Sequence, residues 1–173
     1  RFMTASSNNT VASERMRILA GGGITFNGDT ATANALDDYE EGYYDVTANL
    51  SGGGSVTFDS SHNRAFYTKI GNLVTTGARL EVGSVSSPSG HIYLSLPFTP
   101  NFATESSGLN IAAAVIYNPS SDLSGHLVAE VTNSYSGSII IRQNGGIASG
   151  VTTLGNLIDS GSLISFTLSY HVA

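Results

Sequence analysis

The chain has no cysteine. A disulfide framework, a zinc–thiolate site and a thiol nucleophile are therefore all excluded. Basic charge is scarce too. Seven Lys and Arg are scattered over 173 residues, against 13 Asp and Glu, for a net charge of −6. Only Arg15 and Arg17 sit close together. A nucleic-acid partner calls for a basic stripe that neutralises phosphates, and this chain has none. No apolar run approaches the roughly 20 residues of a membrane-spanning helix, so no membrane insertion is expected. No signal-peptide pattern is read, and a chain opening on Arg1 rather than Met reads as a fragment of something longer or a processed product. Charged residues make up only 12% of the chain, about half the usual share. Long amphipathic helices need a charged face that this composition cannot supply. The Gly/Ser/Thr-rich remainder fits all-β architecture of the extracellular or virion-surface kind.

Catalytic and cofactor motifs are also missing. There is no G-x-S-x-G nucleophile elbow. Gly21-Gly22-Gly23 lacks the Lys-Ser/Thr of a phosphate loop and reads as a joint. His62, His91, His126 and His171 show neither H-x-x-x-H nor H-E-x-x-H spacing, so they read as solvated or interface histidines and no zinc chemistry is expected. Two glycosylation sequons, at Asn8 and Asn49, are short enough to arise by chance. No cofactor, metal or catalytic residue is expected.

What the chain does have is period-two alternation. Val74, Ala78, Leu80 and Val82 share one face of a run, with Arg79 and Glu81 on the other. Ile92, Leu94 and Leu96 alternate with His91, Tyr93 and Ser95. Near the end, Ile164, Phe166, Leu168, Tyr170 and Val172 face one way, and Ser165, Thr167, Ser169 and His171 the other. Weaker strand candidates are "YYDVTANL", "SVTF", "RAFYTKIG", "LNIAAAVIYN", "GHLVAEVT" and "SIIIRQ", separated by turn signals such as "SGGGS", "SSHN" and "SSPSG". About nine or ten short strands at hairpin-like spacing predict an antiparallel β-sandwich, jelly-roll-like in character.

The first 36 residues differ. They hold two short apolar pieces, "RMRIL" and "GITF", separated by Gly21-Gly22-Gly23 and followed by the turn dipeptide Asn27-Gly28. That is too little for an independent core, so the segment must pack on the main domain or on other copies of itself. The expected division is residues 1–36, then a head domain over 37–173. At the junction, "ALDDYEEGYYDV" carries the densest charge in the chain. Paired carboxylates can perform glycosidase chemistry, and Tyr39, Tyr43 and Tyr44 could be aromatic platforms for sugar, but catalytic pairs usually come from separate elements. A calcium site would need six to eight oxygens, and the EF-hand spacing is absent. A solvated linker or interface is the preferred reading, with its carboxylates facing water or paired across chains, for instance with Arg15 or Arg17.

Several motifs, taken in order, resemble a known family. "SERMRILAGGGITFNGDTA" followed by Asp37-Asp38-Tyr39-Glu40-Glu41-Gly42 resembles the junction in bacteriophage tail-fibre and related virion-fibre proteins, many of marine and metagenomic origin. There a shaft ends in E-R-M-R-I, and D-D-Y-E-E-G-T-W-T-P opens a C-terminal β domain. Tyr67 to Gly71 matches that domain's Y-T-K-I-G strand, Leu96-Pro97-Phe98 its L-P-F strand end, and Phe166 to Ala173 its closing aromatic strand. The chain departs from the pattern at Tyr43-Tyr44-Asp45-Val46, where the family has T-W-T-P, and it contains no Trp. The resemblance covers most of the chain and is weakest over residues 100–160. It implies a homotrimeric fibre head on the virion surface without enzyme activity, whose partners are itself, other virion proteins and a host-surface glycan or protein. In that reading Met16, Ile18, Ile24 and Phe26 pack the shaft around the trimer axis. Recognition falls to loops of the head, with Ser89, Asp122 and Tyr135 as candidate receptor contacts. The alternative is a structural connector or decoration protein that binds no receptor.

Overall fold

The computed structural model describes residues 1–5, 11–102, 111–117, 126–132, 137–144 and 157–172. Within them are thirteen strands, a short 3-10 turn at Thr32–Asn34, and no helix long and apolar enough to cross a membrane. The chain divides into two compact units, Arg1–Glu40 with Lys69–Asn72, and Glu41–Thr68 with Leu73–Ala173.

The smaller unit is built on an antiparallel three-stranded sheet of β1 (Phe2–Thr4), β2 (Ser13–Ile18) and β3 (Ile24–Phe26). The apolar pieces "RMRIL" and "GITF" supply β2 and β3, whereas β1 has no clear mark in the sequence. Leu19 and Gly23 close the β2–β3 hairpin through a backbone hydrogen bond of 3.0 Å. The Asn27-Gly28 dipeptide turns the chain as expected, with Asp29 N donating to Phe26 O at 3.1 Å.

The larger unit holds a curled ten-stranded antiparallel sheet. Its strands are β4 (Tyr39–Asp45, which begins in the smaller unit), β5 (Ala48–Leu50), β6 (Ser55–Phe58), β7 (Arg64–Ile70), β8 (Leu73–Ser86), β9 (Ile92–Ser95), β10 (Ile111–Tyr117), β11 (His126–Thr132), β12 (Ser138–Asn144) and β13 (Leu163–His171). The spatial order runs β4-β7-β8-β13-β10-β11-β12-β9-β5, with β6 beside the far half of β8. The two end strands, β4 and β5, are separated in sequence only by Val46 and Thr47. A sheet whose ends are joined by two residues must curl back on itself, because flat strands would stand about 4.8 Å apart at every step. This gives the sandwich-like, all-β architecture that alternation and turn spacing predict.

The core lies inside the curl. Val74, Leu80 and Val82 from β8 meet Ile164, Phe166, Leu168 and Tyr170 from β13, with Ile92, Leu94, Ile139 and Ile141 from β9 and β12. The alternating strands present the faces expected of them. The exceptions are β9 and β12, where Tyr93 and Ile140, paired across the two strands, are buried on the opposite face as well. A strand covered on both faces carries a continuous apolar run rather than alternation, and "SIII" is such a run.

Candidate functional site

Two surfaces stand out, one in each unit. In the smaller unit the strand register decides which side chains share a face. Phe2 pairs with Met16, Met16 with Phe26, Ile18 with Ile24, and Ile24 with Leu36. Residues paired across antiparallel strands project to the same side. The register therefore gathers Met16, Ile18, Ile24 and Phe26, with Phe2 and Leu36 at the edges, onto one apolar face. It stays open to solvent: Ile18 is 67% exposed, Phe2 58% and Phe26 53%. Among the described residues of this unit Thr25 alone is buried, its hydroxyl donating to Asp29 O at 2.6 Å.

Polar contacts organise the rest of the unit. Arg17 holds Glu14 bidentately, its second guanidinium contact at 2.6 Å, and Arg15 donates to the Thr4 hydroxyl at 2.9 Å. The Arg17 hydrogen bond keeps the Glu14 carboxyl below its usual pKa, and the Ala31 N–H does the same for Asp29. Asp38 of the acidic run pairs with Lys69, and its carbonyl accepts from Gly71 N at 2.7 Å. Arg15 and Arg17 are thus engaged with Thr4 and Glu14 inside the chain, and Asp38 is an anchor rather than a free linker charge.

The second surface is a groove of about 380 Å³ on the larger unit, lined by Glu41, Gly42, Tyr43 from β4 and Phe66, Tyr67, Thr68 from β7. Alternation turns Glu41, Tyr43 and Asp45 outward on β4 while Tyr44 and Val46 turn in. On β7, Ala65 turns in and Phe66 out. Tyr43 is 72% exposed and Phe66 43%.

The surroundings hold these residues in place. A Cβ at Gly42 would sit 2.9 Å from the Tyr67 hydroxyl, so that ring lies close across the bare backbone of β4. A Cβ at Gly77 would meet the Phe66 ring at 2.9 Å, so the Phe66 ring rests on bare backbone of β8. Tyr67 is braced edge-on by Phe98, with ring centroids 5.2 Å apart, and more loosely by Tyr44 at 6.4 Å. Thr76 donates to Phe66 O at 2.8 Å and lies 3.2 Å from the Tyr44 hydroxyl. Burial pushes the Tyr44 phenol above its usual pKa, so it stays neutral. Arg64 and Asp45, 3.6 Å apart, link the two strands.

Asp122 and Tyr135 lie outside the described residues. Ser89 is half-buried in a two-loop knot, where its N–H donates to Gly53 O at 3.1 Å and its carbonyl accepts from Gly52 N at 3.0 Å. Of the aromatic platforms weighed for the acidic run, Tyr43 reaches the groove. Phe66 and Thr68 were not singled out from the sequence. The signal in the sequence is parity, since Phe66 alternates in step with the polar Arg64 and Thr68 of "RAFYTKIG".

No protein-family model and no curated protein matches this chain. Among solved structures, the crystal structure of the Dettilon tailspike protein is similar over 77% of this chain, with a TM-score of 0.63 and 18% sequence identity. The chain spans 24% of that one's length. At this identity the likeness is one of fold: the all-β architecture described above is also present within a tailspike.

Proposed function

We propose that this chain is a non-enzymatic attachment component of a bacteriophage tail, a homotrimer whose N-terminal unit joins the copies and whose head meets the host surface. One observation carries the reading: a unit whose described residues include no buried apolar side chain presents a sheet face made of Phe2, Met16, Ile18, Ile24, Phe26 and Leu36. Covering each large side chain of that face is worth about 1.5–3 kcal/mol. Symmetric copies of the chain supply that cover, since each brings the same face to a common axis. The resemblance of the junction motifs to fibre proteins and the likeness of the fold to part of a tailspike support the same assignment. Attachment through a rigid β scaffold needs no catalytic pair.

Sedimentation of the full chain tests the assembly, and the expected species is a trimer. Ile18→Glu with Phe26→Glu, or deletion of residues 1–36, is expected to yield a folded, monomeric head. A wild-type chain that sediments as a monomer at micromolar concentration sinks the fibre reading. Adsorption of the labelled trimer to a panel of bacterial strains tests attachment, and a chain that adsorbs to none favours the connector alternative.

A further inference from the structure

We propose that the β4–β7 groove is a binding site for a neutral oligosaccharide, an assignment that rests on the attachment reading and places its recognition surface on the sheet rather than on the loops. Oligosaccharides offer two kinds of surface, apolar C–H faces and a fringe of hydroxyls. The groove offers a complement to both. Tyr43 and Phe66 are exposed rings on adjacent strands, available to lie against the C–H faces of pyranoses. The Glu41 carboxylate is an acceptor for sugar hydroxyls, and the Thr68 hydroxyl can donate or accept. A volume of about 380 Å³ suits one or two sugar rings.

Preorganisation strengthens the case. Large aromatic side chains exposed on a rigid strand lose little freedom on binding, because each has only two side-chain torsions. Here the Phe66 ring is seated on Gly77, and Tyr67 is braced by Phe98 beneath the groove. Charge selects the class of glycan. Glu41 lines the groove, Asp45 follows four residues along on the same outward face of β4, and the chain as a whole carries −6. Among the described residues, two cations of β7 are themselves paired with carboxylates, Arg64 with Asp45 and Lys69 with Asp38. Uronic-acid or phosphate-rich chains meet repulsion there, whereas neutral sugars do not.

The test applies the full chain to an array of bacterial O-antigen and capsular oligosaccharides, neutral and polyanionic, alongside adsorption to whole cells of the same strains. Retention of one or more neutral oligosaccharides is expected. Tyr43→Ala and Glu41→Gln should each weaken that retention about tenfold or more, while Tyr117→Ala, at an exposed aromatic on β10, leaves it unchanged. Tyr43 is exposed enough for its truncation to leave the melting temperature unaltered, which separates a lost contact from a lost fold. Neutral-glycan retention that survives Tyr43→Ala overturns the proposal, as does preference for polyanionic chains. Adsorption to cells with no glycan retained also overturns it while leaving attachment standing. No adsorption to any strain removes both readings together.

Discussion

Tyr170 shows how much one side chain carries here. It is fully buried in β13, yet its hydroxyl donates to Phe98 O at 3.0 Å and accepts from Phe98 N at 3.3 Å. One phenol thereby fastens the segment after β9 to the closing strand, helped by Asn101 N donating to His171 O at 2.9 Å. Burial pushes the Tyr170 pKa well above its usual value near 10, and Tyr44 shifts the same way. Both groups are therefore neutral in the fold. A folded-state pKa above the unfolded one means that their contribution is complete below about pH 10 and is lost as the pH rises beyond it. Tyr170→Phe is expected to lower the urea midpoint at pH 7 by the equivalent of about 1–2 kcal/mol, with the slope unchanged. The same variant should flatten the fall in stability between neutral and strongly alkaline pH.

Among the elements, β8 and the knot at its far end organise the head. At fourteen residues β8 pairs with β13 along its first half and with β6 along its second, so one strand serves two parts of the curl. Gly54 (φ 79°), just before β6, abuts the carbonyls of Ser86 and Ser87 at the end of β8. Its neighbour Gly53 (φ 98°) has nothing near its would-be Cβ. Gly53→Ala should thus incur backbone strain alone, on the order of 1–2 kcal/mol. Gly54→Ala adds a clash with backbone and should lower the midpoint by clearly more, or prevent folding; equal losses would show that the knot yields. The "SGGGS" and "SSPSG" turns were legible in the sequence as turns. Their pairing was not, because turn chemistry is local while the partner lies more than thirty residues away.

At the scale of the whole molecule, the two units draw stability from different sources. The head holds a core running from Val46 to Val172. Among its described residues the N-terminal unit has no buried apolar side chain and, on the proposed reading, is stabilised by association. Calorimetry of the full chain is expected to show two transitions: one that rises with protein concentration, and one for the head that does not. A single transition independent of concentration would argue that the N-terminal sheet is stable in isolation.

What the amino-acid sequence by itself determined was local and negative. Missing cysteines exclude disulfides and thiolate chemistry, and the low share of charged residues points away from long amphipathic helices. Period-two alternation identified Ile164, Phe166, Leu168 and Tyr170 as an inward row because side-chain direction in a strand depends only on parity. Only the tertiary structure decided which strands lie side by side. It put Glu41 and Tyr43 next to Phe66 and Thr68, bound Tyr170 to Phe98, and collected Met16, Ile18, Ile24 and Phe26 on one open face. Each of these depends on pairing and register between segments distant along the chain, and alternation carries the same parity whichever partner a strand takes.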